Sequence, residues 1–150
     1  MKTIFDALRK DHDQQRKLAK DLLETEGASS ERKSLFDELE AQLTAHAAAE
    51  ERFFYVPLMQ VDMTQDNARH SVAEHKELDD LVEQLNSYDM SSSQWLITAR
   101  ELAERLEHHL DEEEVEVFPV AGKALSEEDK LTLAASYSAD MERHLALVKS

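Results

Sequence analysis

Two stretches decide the fold: HAAAEERFFYVP at residues 46–57 and HLDEEEVEVFP at residues 109–119. Each begins with a histidine, places a glutamate four residues later, and passes an aromatic residue before it reaches a proline. Residues four apart lie above one another on a helix. The pairs His46–Glu50 and His109–Glu113 can therefore each aim an imidazole and a carboxylate at one point. The likeness of the two stretches indicates a pseudo-symmetric helical bundle.

The spacing of apolar residues predicts five helices, at about residues 3–24, 30–59, 65–87, 93–117 and 127–149. Thr3 and Ser126 are expected to cap the first and the last helix. Pro119 and Gly122 should stop the fourth helix, and Pro57 should kink or end the second.

Short connections between long amphipathic helices favour antiparallel neighbours. The predicted fold class is all-α: an antiparallel up-down-up-down four-helix bundle over about residues 3–118, with an additional C-terminal helix over about residues 126–149 as a cover. No low-complexity tract or internal linker interrupts the chain, so residues 1–150 should form a single domain.

The chain carries a formal net charge of −16 and contains no cysteine. A surface of this charge repels nucleic-acid phosphates and anionic lipids, which argues against both as partners. The acidic run at residues 111–116 should be solvated, except for Glu113. The start lacks the apolar region of a signal peptide, so a cytoplasmic protein is expected. Any metal must be held by histidine nitrogen and carboxylate oxygen, a donor set that suits iron, manganese or zinc.

The first four helices each place one histidine on the apolar stripe, and two of them add a glutamate: His12, His46, Glu50, His75, His109 and Glu113. A buried carboxylate without a partner costs several kcal/mol or is forced to protonate. Bound cations would supply the missing charge. The pattern therefore predicts an all-nitrogen-and-oxygen cage for two metal ions, with iron as the expected metal.

Five of the seven histidines have an acid four residues later, where the acid content predicts about one or two by chance. Two of these pairs, His70–Glu74 and His108–Glu112, fall among other charged residues and are interpreted as surface pairs. A single histidine on an apolar face is more often a hydrogen-bonded core residue than a ligand. Packing of the last helix, for example, explains His144 adequately. The metal hypothesis therefore depends on one inward histidine in each of four helices.

The ordered histidines and glutamates, together with EHKELDDLVEQL at residues 74–85, resemble the hemerythrin-like family of HHE cation-binding domains over about residues 1–120. The resemblance implies a four-helix bundle that holds a non-haem di-iron centre. The four histidines would be terminal ligands of two iron ions. Glu50 and Glu113 would bridge the irons together with a solvent-derived oxygen species, and zinc or manganese are conceivable substitutes.

Oxygen-carrying members of that family have H-x-x-x-H on the third helix, where this chain has His75 and Asp79. Asp79 is therefore a candidate seventh metal ligand, with a supporting hydrogen bond or a place in solvent as alternatives. A carboxylate in place of an imidazole would stabilise ferric iron. This departure favours relatives that sense iron or oxygen, handle nitric oxide or peroxide, or donate iron.

The expected function is that of a di-iron binding protein that takes up dioxygen, nitric oxide or peroxide for storage or sensing. It needs a dry pocket lined by residues such as Leu8, Phe53, Val72 and Leu106. One alternative is a di-iron redox enzyme acting on these same small molecules, with Tyr55 near the site. Others are an iron-donating stress-repair protein and a metal-free or zinc-bound interaction module. No separate general acid or nucleophile stands out, and no protein partner is indicated.

Overall fold

The structure, a computed structural model, describes residues 2–149, without the side chain of the last of these. Its α-helices are α1 (Ile4–Leu23), α2 (Ser30–Glu50), α3 (Val56–Met59), α4 (Asp62–Ser87), α5 (Ser93–Glu112), α6 (Phe118–Ala124) and α7 (Glu127–Lys149). Two π-helical turns, π1 (Glu51–Tyr55) and π2 (Glu113–Val117), join α2 to α3 and α5 to α6. Over residues 2–149 there is no β-strand, and no helix has the combination of length and apolar character that a membrane crossing requires.

Four helical rods form the bundle: α1, the continuous α2–π1–α3 rod, α4, and the continuous α5–π2–α6 rod. α1 packs against α2 and α5, and α4 packs against α5 and α2. α7 lies against α1 and α2 as a fifth helix. The predicted all-α up-down-up-down bundle with an additional C-terminal helix is confirmed.

Side-chain hydroxyls cap the starts of α1, α2, α5 and α7, as the sequence predicts for α1 and α7. The Thr3 hydroxyl accepts a hydrogen bond from the Asp6 backbone N–H, and the Asp6 carboxylate accepts one from the Thr3 N–H. Ser29 and Ser92 cap α2 and α5 in the same way, and the Ser126 hydroxyl accepts from the first turn of α7. These bonds satisfy backbone donors that a helix start leaves unpaired.

The expected helix stop at Pro119 and Gly122 is wrong, because the helical path continues through α6 to Ala124. Each proline instead stands in the first turn of a new α-helix that follows a π turn. Before each proline the helix widens into a π turn, in which the N–H of the preceding residue bonds five residues back, Val56 to Glu51 and Phe118 to Glu113. Pro57 sits in the equivalent place in α3 and likewise does not end its rod.

The buried apolar residues form two separate clusters along the bundle. The first, here the Phe54 cluster, includes Ile4, Leu8, Ala45, Phe54, Tyr55, Leu58, Phe118, Tyr137 and Met141. The second, here the Trp95 cluster, includes Leu18, Leu22, Phe36, Leu39, Leu78, Leu85, Trp95, Leu102 and Leu106. The predicted metal-ligand side chains belong to neither cluster. On α1, His12 lies between Leu8 of the Phe54 cluster and Leu18 of the Trp95 cluster, and on α4, His75 lies between Ala68 of the first and Leu78 of the second.

Arg32 ties the loops together at the far end of the Trp95 cluster. Its guanidinium is 3% exposed and donates to the Thr25 hydroxyl at 2.9 Å, to the Thr25 carbonyl at 2.6 Å and to the Met90 carbonyl at 2.8 Å. It also lies over the Trp95 ring at 4.8 Å from the ring centroid. One side chain thus joins the α1–α2 connection to the α4–α5 connection.

Replacing Arg32 by lysine should lower the free energy of unfolding by about 1–3 kcal/mol, because an ammonium cannot reproduce the planar fork and leaves buried carbonyls unpaired. Urea titration followed by circular dichroism measures the change. The matched control is Arg100→Lys on the exposed face of α5, which should change stability by less than about 0.5 kcal/mol. Equal stability of the two variants would contradict the role given to Arg32.

Candidate metal centre

The structure brings together the six side chains predicted to meet. One histidine comes from each of α1, α2, α4 and α5, and the glutamates come from the end of α2 and the start of π2: His12, His46, His75, His109, Glu50 and Glu113. None of them is more than 8% exposed.

The ligand atoms fall into two groups that share both glutamates. His12 and His46 form one group with Glu50 and Glu113, and His75 and His109 form the other with the same two carboxylates. Within each group the candidate ligand atoms lie within 4.8 Å of one another. The two histidine pairs thus flank two shared carboxylates, a buried His/Glu cluster that fits a metal site.

The individual distances place Nε2 of every histidine beside a carboxylate oxygen. Glu50 Oε1 lies 3.0 Å from His75 Nε2 and 3.3 Å from His46 Nε2. Glu113 Oε1 lies 3.2 Å from His12 Nε2, and Glu113 Oε2 lies 3.6 Å from His109 Nε2. The two glutamates therefore reach all four imidazoles between them.

Whether these six side chains suit a metal can be judged from the buried polar atoms that have no hydrogen-bond partner. Nε2 of all four histidines and all four carboxylate oxygens of Glu50 and Glu113 are buried without a hydrogen-bond partner. Buried polar atoms in proteins are otherwise almost always paired. Here the eight unpaired atoms are those turned toward the common centre, so the residues fit cations that would coordinate them.

The outward nitrogen of three of the histidines is held by a second polar side chain. His12 Nδ1 is 2.6 Å from Glu114 Oε2, His46 Nδ1 is 2.6 Å from the Tyr137 hydroxyl, and His109 Nδ1 is 2.8 Å from Glu74 Oε1. An imidazole that donates from Nδ1 leaves the lone pair of Nε2 free for a cation. The fourth, His75 Nδ1, faces a Glu51 oxygen at 3.4 Å.

Three of these supporting residues were missed by the sequence analysis. The Glu114 side chain was expected to be solvated, but it is only 20% exposed. Glu74 was expected to form a surface pair with His70, but its side chain is only 14% exposed and also contacts His109. Tyr137 does more than pack α7 onto the bundle, since its hydroxyl accepts from His46 and donates to Asp11 Oδ2 at 2.5 Å. Each partner lies 35 to 102 residues from its histidine, so no local spacing signals it.

The two π turns adjoin the two glutamates. π1 begins directly after Glu50, and Glu113 is the first residue of π2. A π turn adds one residue to a helical turn and shifts the buried stripe that follows. A helix without this shift would place Phe53 on the buried face one turn after Glu50, but Phe54 and Leu58 are fully buried and Phe53 is only half-buried.

The carboxyl pair is strongly perturbed by burial and by mutual repulsion. Burial, and then the negative charge of Glu50, raise the pKa of Glu113 well above its ordinary value. Burial also acts to raise the pKa of Glu50, but His46, Glu113 and His12 outweigh it and hold that pKa well below the usual range. In the metal-free protein one proton is therefore held at the pair.

The pKa values of the histidines shift in opposite directions. Burial lowers the pKa of His46. Burial opposes the charge on His75, but Glu50 and Glu51 outweigh it and raise the pKa to about 9. In the same way Glu113, Glu114 and Glu50 raise the pKa of His12 well above its ordinary value. Protons thus occupy positions in the metal-free group that cations would take.

A cavity of about 420 Å³ opens beside the group and is lined by His46, His75 and His109. Val72 and Leu106 line it as expected, whereas Leu8 and Phe53 pack in the Phe54 cluster instead. Gln15 also lines the cavity, and neither atom of its fully buried amide has a hydrogen-bond partner.

Two other candidates lie outside the group. Asp79 lines the cavity, but it is exposed and belongs to neither set of converging ligand atoms. His144 is half-buried on α7, with Nε2 3.2 Å from Asp140. Tyr55 does lie near the site, with its ring 5.7 Å from that of His75, and its buried hydroxyl is unpaired.

The sequence profile of the Hemerythrin HHE cation binding domain matches residues 3–121, which is most of the chain and includes all six converging side chains. The chain belongs to this family. The crystal structure of a hemerythrin HHE cation-binding domain-containing protein from Mycobacterium kansasii superposes on it with a TM-score of 0.87 at 24% identity. The superposition covers 97% of this chain and 89% of the other, and it shows the shared fold. No curated protein sequence matches the chain.

The HHE domain should lose metal affinity when Tyr137 is changed to phenylalanine, because the imidazole of His46 then loses its acceptor. Loss of such an outer partner typically costs about 10–100-fold in affinity. Competition with a chromophoric chelator measures the effect, and circular dichroism checks the fold. Tyr88→Phe, in the Trp95 cluster, is the matched control and should bind as the unchanged protein does. Equal affinities would rule out the support assigned to Tyr137.

Cation binding should release protons, because His12 and His75 must become neutral before Nε2 can bind. With the pKa of His75 at about 9, at least two protons per chain should leave near pH 7, and affinity should rise as the pH is raised from 6 to 8. Calorimetric titration with Co²⁺ in two buffers of different ionisation enthalpy counts the protons. A binding enthalpy that is the same in both buffers would contradict the charge states given above.

Proposed function

We propose that this HHE domain holds two iron ions and binds dioxygen or a related small ligand, such as nitric oxide or peroxide, for storage or sensing. The observation that carries the proposal is the sharing of Glu50 and Glu113 by two histidine pairs. Shared carboxylates hold two cations close together. In this assignment His12 and His46 would hold one iron, His75 and His109 would hold the other, and both glutamates would contribute to each.

The choice of iron is supported by the donor set. Four imidazole nitrogens and two carboxylates, with no thiolate anywhere in the chain, suit iron, manganese or zinc. Bound iron would supply redox chemistry and an open coordination position for a small ligand. The exposed position of Asp79 gives it no ligand role in the proposal.

The chain's own residues prepare the site for a small guest. Val72, Leu106 and Leu78 give the cavity an apolar wall beside the histidines, which limits the water that reaches them. The unpaired amide of Gln15 offers one donor and one acceptor to a guest in that cavity. The tyrosine and glutamate partners behind His12, His46 and His109 keep those three rings oriented.

A di-iron redox enzyme acting on the same small molecules is the second candidate. Tyr55 is the observation that favours it, because a fully buried phenol with no hydrogen-bond partner lies against His75. Such a group is able to donate a proton or hydrogen bond to a guest at the centre.

Elemental analysis and absorption spectroscopy on one sample test the proposal. We expect about two iron ions per chain in protein purified with iron present, and a near-ultraviolet and visible absorption change on admitting oxygen that reverses when oxygen is removed. Glu50→Gln should lose most of the metal, whereas Glu38→Gln, an exposed change of equal charge on the same helix, should keep it.

Each remaining outcome separates the candidates. Steady consumption of peroxide or nitric oxide above the rate of free iron, lost in His75→Ala and reduced in Tyr55→Phe, would favour the enzyme. Iron that gives no response to oxygen or nitric oxide would reject the binding function. Absence of metal, together with a melting temperature that chelator leaves unchanged, would reject both.

A further inference from the structure

A second set of metal-binding side chains lies on the surface of the bundle, where α4 and α5 pack together. His70 and Glu74 stand one turn apart on α4, and His108 and Glu112 stand one turn apart on α5. We call these four residues the surface cluster. None of them belongs to the six-residue group described above.

The surface cluster converges on one point between the two helices. His70 Nε2 lies 3.0 Å from Glu112 Oε1 and 3.5 Å from Glu74 Oε2. These three ligand atoms lie within 4.8 Å of one another. His108 Nε2 lies 3.1 Å from the other oxygen of Glu112, so it can join from the side.

The surroundings distinguish this cluster from an ordinary acidic patch. Its two carboxylates are 14% and 21% exposed at their side chains, whereas the imidazoles of His70 and His108 are 58% and 73% exposed. The carboxylates are therefore held in place while the imidazoles keep the freedom to close on a cation. Imidazole with carboxylate is also the donor set that binds Mn²⁺, Fe²⁺ and Zn²⁺, and a net charge of −16 raises the local concentration of such cations.

Glu74 faces in two directions and links the cluster to the interior. Its Oε1 accepts the hydrogen bond from His109 Nδ1 at 2.8 Å, while its Oε2 faces His70. A cation on Oε2 would draw negative charge away from the oxygen that supports His109. The two sites are therefore separated by one carboxylate.

We propose that the surface cluster is a divalent-cation site of its own, which holds one ion of the Mn²⁺ or Fe²⁺ type and is coupled through Glu74 to the buried group. The site stands on its own geometry. Only the coupling rests on the proposed function, because it requires metal at His109.

Titration with Mn²⁺ followed by electron paramagnetic resonance tests the site in protein whose buried metal has been loaded beforehand. We expect one additional Mn²⁺ per chain, which a chelating resin removes while elemental analysis shows the buried metal unchanged. The double variant His70→Asn, Glu112→Gln should lose this ion. Glu116→Gln is the matched control, since it removes a nearby exposed charge from the same face but no converging ligand atom. Equal Mn²⁺ binding by the double variant and the control would overturn the proposal.

Nuclear magnetic resonance of the unchanged sequence, with its buried group loaded beforehand with diamagnetic Zn²⁺, gives a second test that requires no variant to fold. Small additions of Mn²⁺ should broaden the imidazole signals of His70 and His108 well before that of His144, which serves as the internal reference on α7. Uniform broadening of all three would mean that Mn²⁺ binds the acidic surface diffusely, and would overturn the proposal.

Coupling to the buried group is tested by loading that group with Co²⁺ and recording its absorption during the Mn²⁺ titration. The Co²⁺ bands should shift with the same midpoint as Mn²⁺ binding. If Mn²⁺ binds without shifting the Co²⁺ bands, the proposed coupling is wrong, whereas the proposed surface site is still supported. Protein that takes no metal at the buried group but still binds one Mn²⁺ contradicts the proposed function alone.

Discussion

Two carboxylates buried side by side, Glu50 and Glu113, set the constraint on which the remaining structure depends. Each is at most 1% exposed, and neither has a hydrogen-bond partner for either oxygen. Two such charges repel each other strongly where water cannot screen them. Four imidazoles point at the two carboxylates and reduce this repulsion. Without metal, protons on His12 and His75 offset part of this negative charge, and cations between the glutamates would take their place.

The need to keep those imidazoles oriented extends the site well beyond its six central side chains. Glu114 holds His12, and it is held in turn by Arg16 at 3.1 Å. Burial acts to raise the pKa of Glu114, but His12 and Arg16 outweigh it and lower the pKa to about 2. Part of the chain's acidic surface is therefore the outer layer of the site. Part of the acidic composition therefore supports the interior.

The sequence was sufficient for those features that a single helix determines. Helical periodicity located the inward histidines, and four-residue spacing paired two of them with glutamates, because both signals repeat within one or two turns. The side chains that bind the outward nitrogens of the histidines could not be predicted from the sequence. Glu114 lies 102 residues from His12, and Tyr137 lies 91 residues from His46. Such contacts depend on how helices are placed side by side, which periodicity does not encode.

The π turns also could not be predicted from the sequence. One extra residue in a helical turn leaves the composition unchanged, and the shifted stripe is still made of apolar residues. Their effect appeared as a shift at Phe53 and as helices that run past two prolines. The surface pairs illustrate a related limit. His70–Glu74 looked solvated from its own helix, yet Glu74 is the acceptor for His109 on the neighbouring helix.

The hydrogen bond from α7 has a consequence for where this domain ends. The family profile stops at residue 121, but the hydroxyl that orients His46 belongs to Tyr137. A fragment cut at the profile's boundary would retain every candidate ligand and discard one of their supports. A fragment meant to keep His46 oriented must therefore extend past the matched residues to include Tyr137 of α7.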